Sequence, residues 1–186
     1  MLSIVISKVN HSYIYDKKRL NFVNFLLIFF FKKNIKKTGG NILIRKSPMD
    51  GSLEGVVGDF GLALSLGSIS SSHNKHSAGT YQWMAPEQIN PVRGQKITQS
   101  VDIYSFGVVV WEIATGKIPW KEELQEHVGL EFAALSQLVK DGEKLKFPSP
   151  PDAKWEKMQN IAMQCFEQDP SKRPTAEQIV QLLSAL

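Results

Sequence analysis

Cysteine is almost missing from this chain of 186 residues, which contains the single Cys165. One cysteine excludes an intrachain disulfide framework, and no Cys/His cluster has the spacing of a zinc site. Cysteine usage of this kind is typical of a reducing compartment, so we expect a cytoplasmic location. Because Cys165 lies in an apolar helical pattern, we expect it to be a packing residue and not a nucleophile.

Long apolar runs are also scarce, and the run Phe22–Phe31 is interrupted by Asn24 and flanked by basic residues. A membrane-spanning helix needs about 20 apolar residues, and a secretory signal needs a small-residue cleavage site where this chain has lysines. A membrane role is therefore unfavoured. Three interpretations of this segment stay open: membrane association, a buried helix or strand, and a low-complexity stretch without a specific role, such as translated non-coding sequence.

Acidic residues are rare in the first part of the chain. Residues 1–50 hold ten Lys/Arg against two Asp, whereas residues 51–186 hold twelve basic and sixteen acidic residues. Because the basic excess lies in one terminal segment, it does not predict a nucleic-acid interface. We expect residues 1–37 to be an atypical Lys/Phe-rich segment outside the fold, and residues 38–186 to form the one domain that this length allows.

Ordered patterns begin near residue 40. The apolar-rich "NILIRK" of Asn41–Lys46 and the "EGVVGDFG" of Glu54–Gly61 are separated by turn-forming residues, which predicts a β-hairpin. Residues 62–79 are rich in Ser, Gly and His and lack periodicity, so they are interpreted as a loop.

The rest of the chain is dominated by helical patterns. Ser100–Gly116 is apolar on nearly every face, which predicts a central buried helix capped by Ser100 and ended by Gly116. Three further helices are predicted within Leu130–Gly142, Asp152–Asp169 and Thr175–Leu186. The predicted fold class is α+β, mostly helical, with one short hairpin.

Five motifs together carry a family resemblance. They are Asn41-Ile-Leu-Ile, Asp59-Phe-Gly, "GTYQWMAPE" at Gly79–Glu87, "DIYSFGVVVWE" at Asp102–Glu112 and "DPSKRPT" at Asp169–Thr175. In this order and spacing they resemble the C-terminal lobe of a eukaryotic protein kinase, and the GTYQWMAPE form resembles the tyrosine-kinase-like group, most of whose members phosphorylate Ser/Thr. The resemblance implies ATP and Mg²⁺ as cofactors and a protein substrate or docking partner. Tyrosine as a further acceptor is left open.

The resemblance also assigns roles to single residues. Phosphoryl transfer needs a divalent metal held by hard oxygen ligands, and Asp59 and Asn41 would supply them. Thr80, Trp83 and Met84 would line the groove for the residue that follows the phosphoacceptor. For Thr80 a plain surface position is the alternative.

Three other residues are assigned structural roles. Glu87 and Arg173 match a buried ion pair that ties the end of the activation segment to the helical body. Asp102 would accept hydrogen bonds from the backbone of the catalytic loop, or else be a solvent-facing acid at the start of its helix. The candidate phosphorylation sites are Ser68, Ser70, Ser71, Ser72, Ser77 and Thr80.

The acid of the catalytic loop is missing. Counting back from Asn41, the position of the family aspartate is occupied by Lys36, or by Ile35 if the loop is one residue longer; only the longer loop retains its lysine, at Lys37. The spacing from Asp16 to Asn21 also fits the catalytic loop of the family. Asp16 is nevertheless unfavoured as the base, because the Phe-rich run separates it from the other motifs.

The signals of a nucleotide-binding lobe are missing as well. No Gly-rich loop precedes Asp59, and Lys8 matches the family's phosphate-pairing strand lysine only weakly. The first glutamate of the chain is Glu54, so no glutamate lies before the catalytic loop to pair with such a lysine. We therefore expect the N-terminal lobe to be absent and this chain to be close to inactive. The alternative is a pseudokinase-like module that docks partner proteins.

Overall fold

The computed structural model describes residues 81–185, Gly51, and the backbone of two strands, residues 42–46 and 53–57. These residues fall into two compact units. One contains the two strands and residues 177–185, and the other contains residues 81–176.

In the first unit, strands β1 (Ile42–Lys46) and β2 (Leu53–Val57) form a two-stranded antiparallel sheet. Ile42 is opposite Val57 and Lys46 is opposite Leu53. Gly51, in the connection between the strands, has a φ of 68°, a left-handed conformation that glycine adopts without steric cost.

The regular secondary structure in the described part of the second unit is helical. Its helices are α1 (Pro86–Ile89), α2 (Ser100–Thr115), α3 (Lys121–Leu124), α4 (Glu131–Lys140) and α5 (Ala153–Cys165), with short 3-10 helices at Tyr81–Trp83 and Pro170–Lys172. A last helix, α6 (Ala176–Ser184), begins at the end of this unit and buries Ile179 and Leu183. The mostly helical architecture predicted from the sequence is confirmed.

Helix α2 is the central element, as its apolar sequence predicts. Eight of its residues are buried, among them Val108 with no exposed surface. Gly116 ends the helix in a left-handed conformation with a φ of 66°, as predicted. The predicted cap at Ser100 is wrong: Ser100 is already helical, Gln99 is the N-cap without a side-chain bond, and the Ser100 hydroxyl pairs instead with that of Thr98 at 2.7 Å.

Helices α2 and α5 pack closely where α2 has a glycine. A Cβ atom on Gly107 would lie 2.8 Å from the Cβ of Cys165 and 3.1 Å from the carbonyl oxygen of Ala162. The missing side chain therefore sets how near the two helices can come. Helix α5 itself begins where expected, because the Asp152 carboxylate accepts from the backbone N–H of Lys154 at 2.9 Å.

Candidate functional site

The segment Tyr81–Met84, which contains two of the predicted groove residues, forms a short 3-10 turn against the core of the helical unit. Trp83 and Met84 are half-buried and pack on that core. The Tyr81 ring meets the Phe132 ring edge-on, with 5.8 Å between centroids. Burial and the nearby Glu131 carboxylate raise the pKa of Tyr81.

Two residues of helix α2 hold Trp83. The Trp83 indole Nε1 donates to Oε2 of Glu112 at 3.1 Å. The Ser105 hydroxyl donates to the Trp83 carbonyl oxygen at 2.7 Å, and it also lies 3.1 Å from the Val101 carbonyl one turn earlier in the helix. The indole and the backbone of Trp83 are thus both anchored to one helix.

Gln82 ties the same segment to the connection between α2 and α3. Its side-chain amide donates to the carbonyl oxygen of Pro119 at 2.8 Å. The next residue, Trp120, is buried and has a φ of 58°, a left-handed conformation that is uncommon for a residue with a bulky side chain. Burial of the Trp120 ring in the core stabilises a backbone geometry that would cost free energy in an exposed loop.

Glu87 and Arg173 form a buried, bidentate ion pair across 86 residues of sequence. The guanidinium Nη1 lies 2.7 Å from Oε1 of Glu87 and Nη2 lies 2.8 Å from Oε2. The planar guanidinium matches the carboxylate, so both oxygens accept in parallel. This pair connects the start of α1 to the turn before α6.

The rest of the Arg173 guanidinium is also engaged. Nε donates to the carbonyl oxygen of Glu167 at 2.8 Å, and Nη1 donates to that of Ser100 at 2.9 Å. Its central carbon lies 5.2 Å from the centre of the Tyr104 ring, within cation–π range. Arg173 therefore links four places in the chain, which is more than the predicted pair alone.

Asp102 lies on the first turn of α2 and is exposed. Partial desolvation by its surroundings nevertheless raises the pKa of its carboxyl group. The loop backbone that the resemblance gives as its donor lies outside the described residues, so the scaffolding role of Asp102 stays a prediction.

Cys165 is a packing residue, as predicted. It has no exposed surface, and burial raises the pKa of its thiol from 9.0 to about 12. A buried thiol whose pKa is raised in this way carries little thiolate at neutral pH, which supports the packing role.

Most of the predicted reaction chemistry falls on residues outside the described part of the chain. These are Ile35, Lys36, Lys37, Asn41, Asp59, Ser68, Ser70, Ser71, Ser72, Ser77 and Thr80, together with the apolar run 22–31. Among residues 81–185, no group of three or more His, Cys, Asp or Glu side chains could hold a metal ion. Within the described residues, no helix has both the length and the apolar character needed to cross a membrane.

Sequence reasoning missed the polar side chains that hold the Tyr81–Met84 segment. Glu112 is 2% exposed. The one sequence signal of its role is the presence of an acid inside a helix that is otherwise apolar in this part. Ser105 lies seven residues earlier, on the same helical face. Nothing in the sequence marks the left-handed conformation of Trp120.

Comparison with known proteins places this geometry in context. Residues 33–183 match the family model of the protein kinase domain. The LRR receptor-like serine/threonine-protein kinase FEI 2 of Arabidopsis thaliana is 34% identical over 142 residues, covering 74% of this chain and 24% of that protein. Human mitogen-activated protein kinase kinase kinase 11 is 34% identical over 128 residues, covering 69% and 13%.

A third relative covers more of this chain. The probable serine/threonine-protein kinase roco7 of Dictyostelium discoideum is 31% identical over 172 residues, which are 91% of this chain and 6% of that protein. The matched part of this chain thus spans about a quarter or less of the length of each of these relatives.

Proposed function

This chain belongs to the protein kinase family, and on that premise we propose that its residues 38–186 correspond to the C-terminal lobe of a kinase domain of the Ser/Thr type. The family reaction is ATP-dependent phosphoryl transfer to protein side chains. The observation that carries the proposal is the family match over residues 33–183, joined by relatives whose names state a Ser/Thr kinase. A cytoplasmic location and a tyrosine-kinase-like character belong to the same proposal.

The segment Tyr81–Met84 is the proposed contact for a protein substrate or docking partner. Trp83 and Met84 are half-buried, and hydrogen bonds from Gln82, Ser105 and Trp83 itself fix the turn. A fixed turn favours binding because little conformational entropy is lost when a peptide docks. Thr80, which precedes Tyr81 in the sequence, is proposed to belong to the same substrate groove.

Asp59 and Asn41 are the proposed ligands of Mg²⁺. A carboxylate and an amide carbonyl are the hard oxygen donors that this ion prefers, so the donor set fits the metal. Bound Mg²⁺ would neutralise charge on the ATP phosphates. Glu87 and Arg173 take no part in this chemistry and are proposed to hold the segment to the helical body.

We propose that this chain by itself transfers phosphate poorly or not at all, because Lys36 or Ile35 stands at the position of the loop acid. A lysine or an isoleucine cannot accept the proton of a substrate hydroxyl at neutral pH. General acid–base catalysis contributes about 10²–10⁴-fold to rate, and this contribution would be lost together with the positioning of the nucleotide by the missing glycine loop and lysine–glutamate pair.

The test is a transfer assay with the full chain, labelled ATP, Mg²⁺ and a mixture of Ser- and Thr-containing peptides. We expect no label in the peptides above a reaction without protein. An Asp59→Asn variant is the matched control. Transfer by the unaltered chain that disappears in Asp59→Asn would overturn the proposed inactivity, whereas transfer that persists in the variant would identify a contaminating kinase.

The second candidate is a pseudokinase-like module that binds proteins without catalysis. The replacement at Lys36 favours it, because the substrate segment can be kept while the acid is lost. The messenger RNA across codons 1–60 separates the two candidates. A transcript that encodes residues 1–37 continuously with the kinase-like part supports the binding module. A transcript that encodes a His-Arg-Asp loop supports a complete kinase.

A further inference from the structure

Helix α4 contacts both ends of the segment 81–90 with one of its faces. At the first end, the Tyr81 ring meets the Phe132 ring edge-on, at 89° and with 5.8 Å between the ring centroids. At the other end, Asn90 is paired with Ser136. Phe132 and Ser136 are one helical turn apart on α4, so their side chains lie on the same side of the helix. The same face of α4 therefore contacts the segment where it begins and where it ends.

The pairing of Asn90 with Ser136 is reciprocal. The Ser136 hydroxyl donates to Oδ1 of Asn90 at 2.6 Å, and Nδ2 of Asn90 donates to the carbonyl oxygen of Ser136 at 3.1 Å. A serine hydroxyl inside a helix commonly donates to the carbonyl oxygen one turn earlier, whereas this one donates to a residue that is 46 positions away in the sequence. Two bonds in opposite directions restrain the rotation of α4 about its axis as well as its distance from Asn90.

Both partners of this pair lie at the edge of the core. Asn90 and Ser136 are half-buried, whereas their neighbours Ile89 and Leu135 are buried. Polar groups that are removed from water cost free energy unless they are paired, so each partner stabilises the other. Asn90 is also the C-cap of α1, and its backbone N–H donates to the Pro86 carbonyl oxygen at 2.8 Å. The pair therefore joins α4 to a helix end whose backbone is itself held in place.

We propose that Asn90 and Ser136 are positioning residues that hold α4 where Phe132 lies against Tyr81, so that α4 forms a second wall of the proposed peptide contact. This inference rests on the proposed function of the segment Tyr81–Met84. Without the pair, the apolar core residues of α4 would still attach the helix, but the side that carries Phe132 would be less restrained. A peptide would then have to order both walls as it binds, and this ordering lowers its affinity.

The experiment is nuclear magnetic resonance of the full chain with ring-¹³C-labelled tyrosine, whose four ring signals are assigned by single Tyr→Phe variants. Phe132→Leu removes the neighbouring ring and gives the reference position of the Tyr81 signal without it. In Asn90→Ala, which removes both bonds, the Tyr81 signal should shift towards that reference position, because the ring-current effect of Phe132 falls steeply with distance. Ser136→Ala removes only the hydroxyl bond and should cause a smaller shift in the same direction.

Two matched controls separate this effect from a general disturbance of the core. Tyr104 belongs to the same core, but its ring packs against Phe166 and the Arg173 guanidinium, so its signal should stay in place. Gln137→Ala also removes a polar side chain from α4. The Gln137 side chain is exposed and bonds to the end of its own helix, so this variant should leave the Tyr81 signal unchanged.

Two results would overturn the inference. One is an unchanged Tyr81 signal in both Asn90→Ala and Ser136→Ala. The other is a shift of the Tyr104 signal as large as that of Tyr81, since the pair would then stabilise the whole core without positioning α4.

A binding measurement tests the consequence for the peptide contact and separates this inference from the proposed function. The full chain and its variants are titrated with a panel of Ser- and Thr-centred peptides. We expect Asn90→Ala to weaken binding by about tenfold and Gln137→Ala to leave it unchanged. Equal affinities of the unaltered chain and Asn90→Ala would refute the second wall. If the unaltered chain binds no peptide, the proposed function fails, and the Tyr81 signal still decides whether the pair positions α4.

Discussion

At the scale of single residues, the buried charges of the helical unit are paired with donors or acceptors that are distant in sequence. Arg173 pairs with Glu87, and Glu112 accepts a hydrogen bond from the half-buried Trp83; Arg173, Glu87 and Glu112 are themselves buried. An unpaired buried charge is far more costly than an unpaired exposed one. Changes at these positions should therefore have larger effects than changes at surface ion pairs.

We predict that Arg173→Met lowers the free energy of unfolding by about 3–5 kcal/mol, because it leaves the Glu87 carboxylate buried without its partner. The measurement is urea unfolding followed by circular dichroism. Lys144→Met is the matched control. The Lys144 ammonium lies 3.2 Å from the Glu167 carboxylate, and both side chains are partly exposed, so the loss of this ion pair should cost less than about 1 kcal/mol.

A second variant tests the reason for this difference. Adding Glu87→Gln to Arg173→Met removes the stranded charge, so the double variant should be more stable than Arg173→Met alone. Equal costs for Arg173→Met and Lys144→Met would contradict the importance of burial at this pair.

The pH dependence of stability follows from two neutral buried groups. Burial raises the pKa of Tyr104 from 10.0 to about 12 and that of Cys165 from 9.0 to about 12. The folded chain holds these protons more tightly than the unfolded chain, so this stability is fully present below pH 9 and is lost as the pH rises towards 12. Each group contributes a slope of up to about 1.4 kcal/mol per pH unit.

This prediction is checked by urea unfolding at a series of pH values from neutral to strongly alkaline. Tyr104→Phe should remove the part of the slope that begins near pH 10, and Cys165→Ala the part that begins near pH 9. An unchanged slope in both variants would show that other groups govern alkaline unfolding.

At the scale of elements, helix α2 organises the helical unit. It packs against α5 at Gly107, and the Ser100 carbonyl oxygen in its first turn accepts a hydrogen bond from Arg173. Another part of its surface binds Trp83 through Glu112. Its apolar sequence predicted that it is central. The identity of its partners depends on which helices meet it in space.

We predict that Gly107→Ala destabilises the fold by about 1–3 kcal/mol, because the new Cβ atom would lie 2.8 Å from the Cβ of Cys165 and 3.0 Å from the Phe166 ring. In an uncrowded helix interior the same change stabilises by about 1 kcal/mol, so the sign of the change in stability shows whether Gly107 is crowded. Thermal and urea unfolding measure it, and a gain in stability would refute the close approach of α2 and α5.

Gly116→Ala provides the comparison at a position with different physics. A Cβ atom there meets no neighbour within 4 Å, but the φ of 66° strains any other residue. The expected cost is about 1–2 kcal/mol from backbone strain alone. Thermal and urea unfolding measure this cost in the same way as for Gly107→Ala.

At the scale of the whole molecule, the chain joins a basic Phe-rich segment to a part with family motifs, and the family match covers residues 33–183. Its charge pattern supports the proposed boundary near residue 37. We propose that residues 1–37 lie outside the fold and contribute no buried area, and on this proposal their removal should not change the cooperative unfolding of the remainder.

We predict that deleting residues 1–37 shifts the melting temperature of the chain by less than about 2 °C, which corresponds to less than about 1 kcal/mol for a domain of this size. The measurement is a thermal scan of the full and shortened chains at equal concentration. A fall of many degrees would place the segment within the fold and favour its interpretation as a buried helix or strand.

The sequence alone determined the helical class, the central position of α2, the end of that helix at Gly116, the packing role of Cys165 and the family. These follow from local patterns, because periodicity, helix-ending glycine and motif spacing act over short stretches of chain. Tertiary structure alone decided that Gln99 and not Ser100 precedes α2, that Trp120 is left-handed, and that Glu112 and Ser105 hold Trp83. Those features depend on which distant residues meet in space, and desolvation and packing at such contacts override local preference.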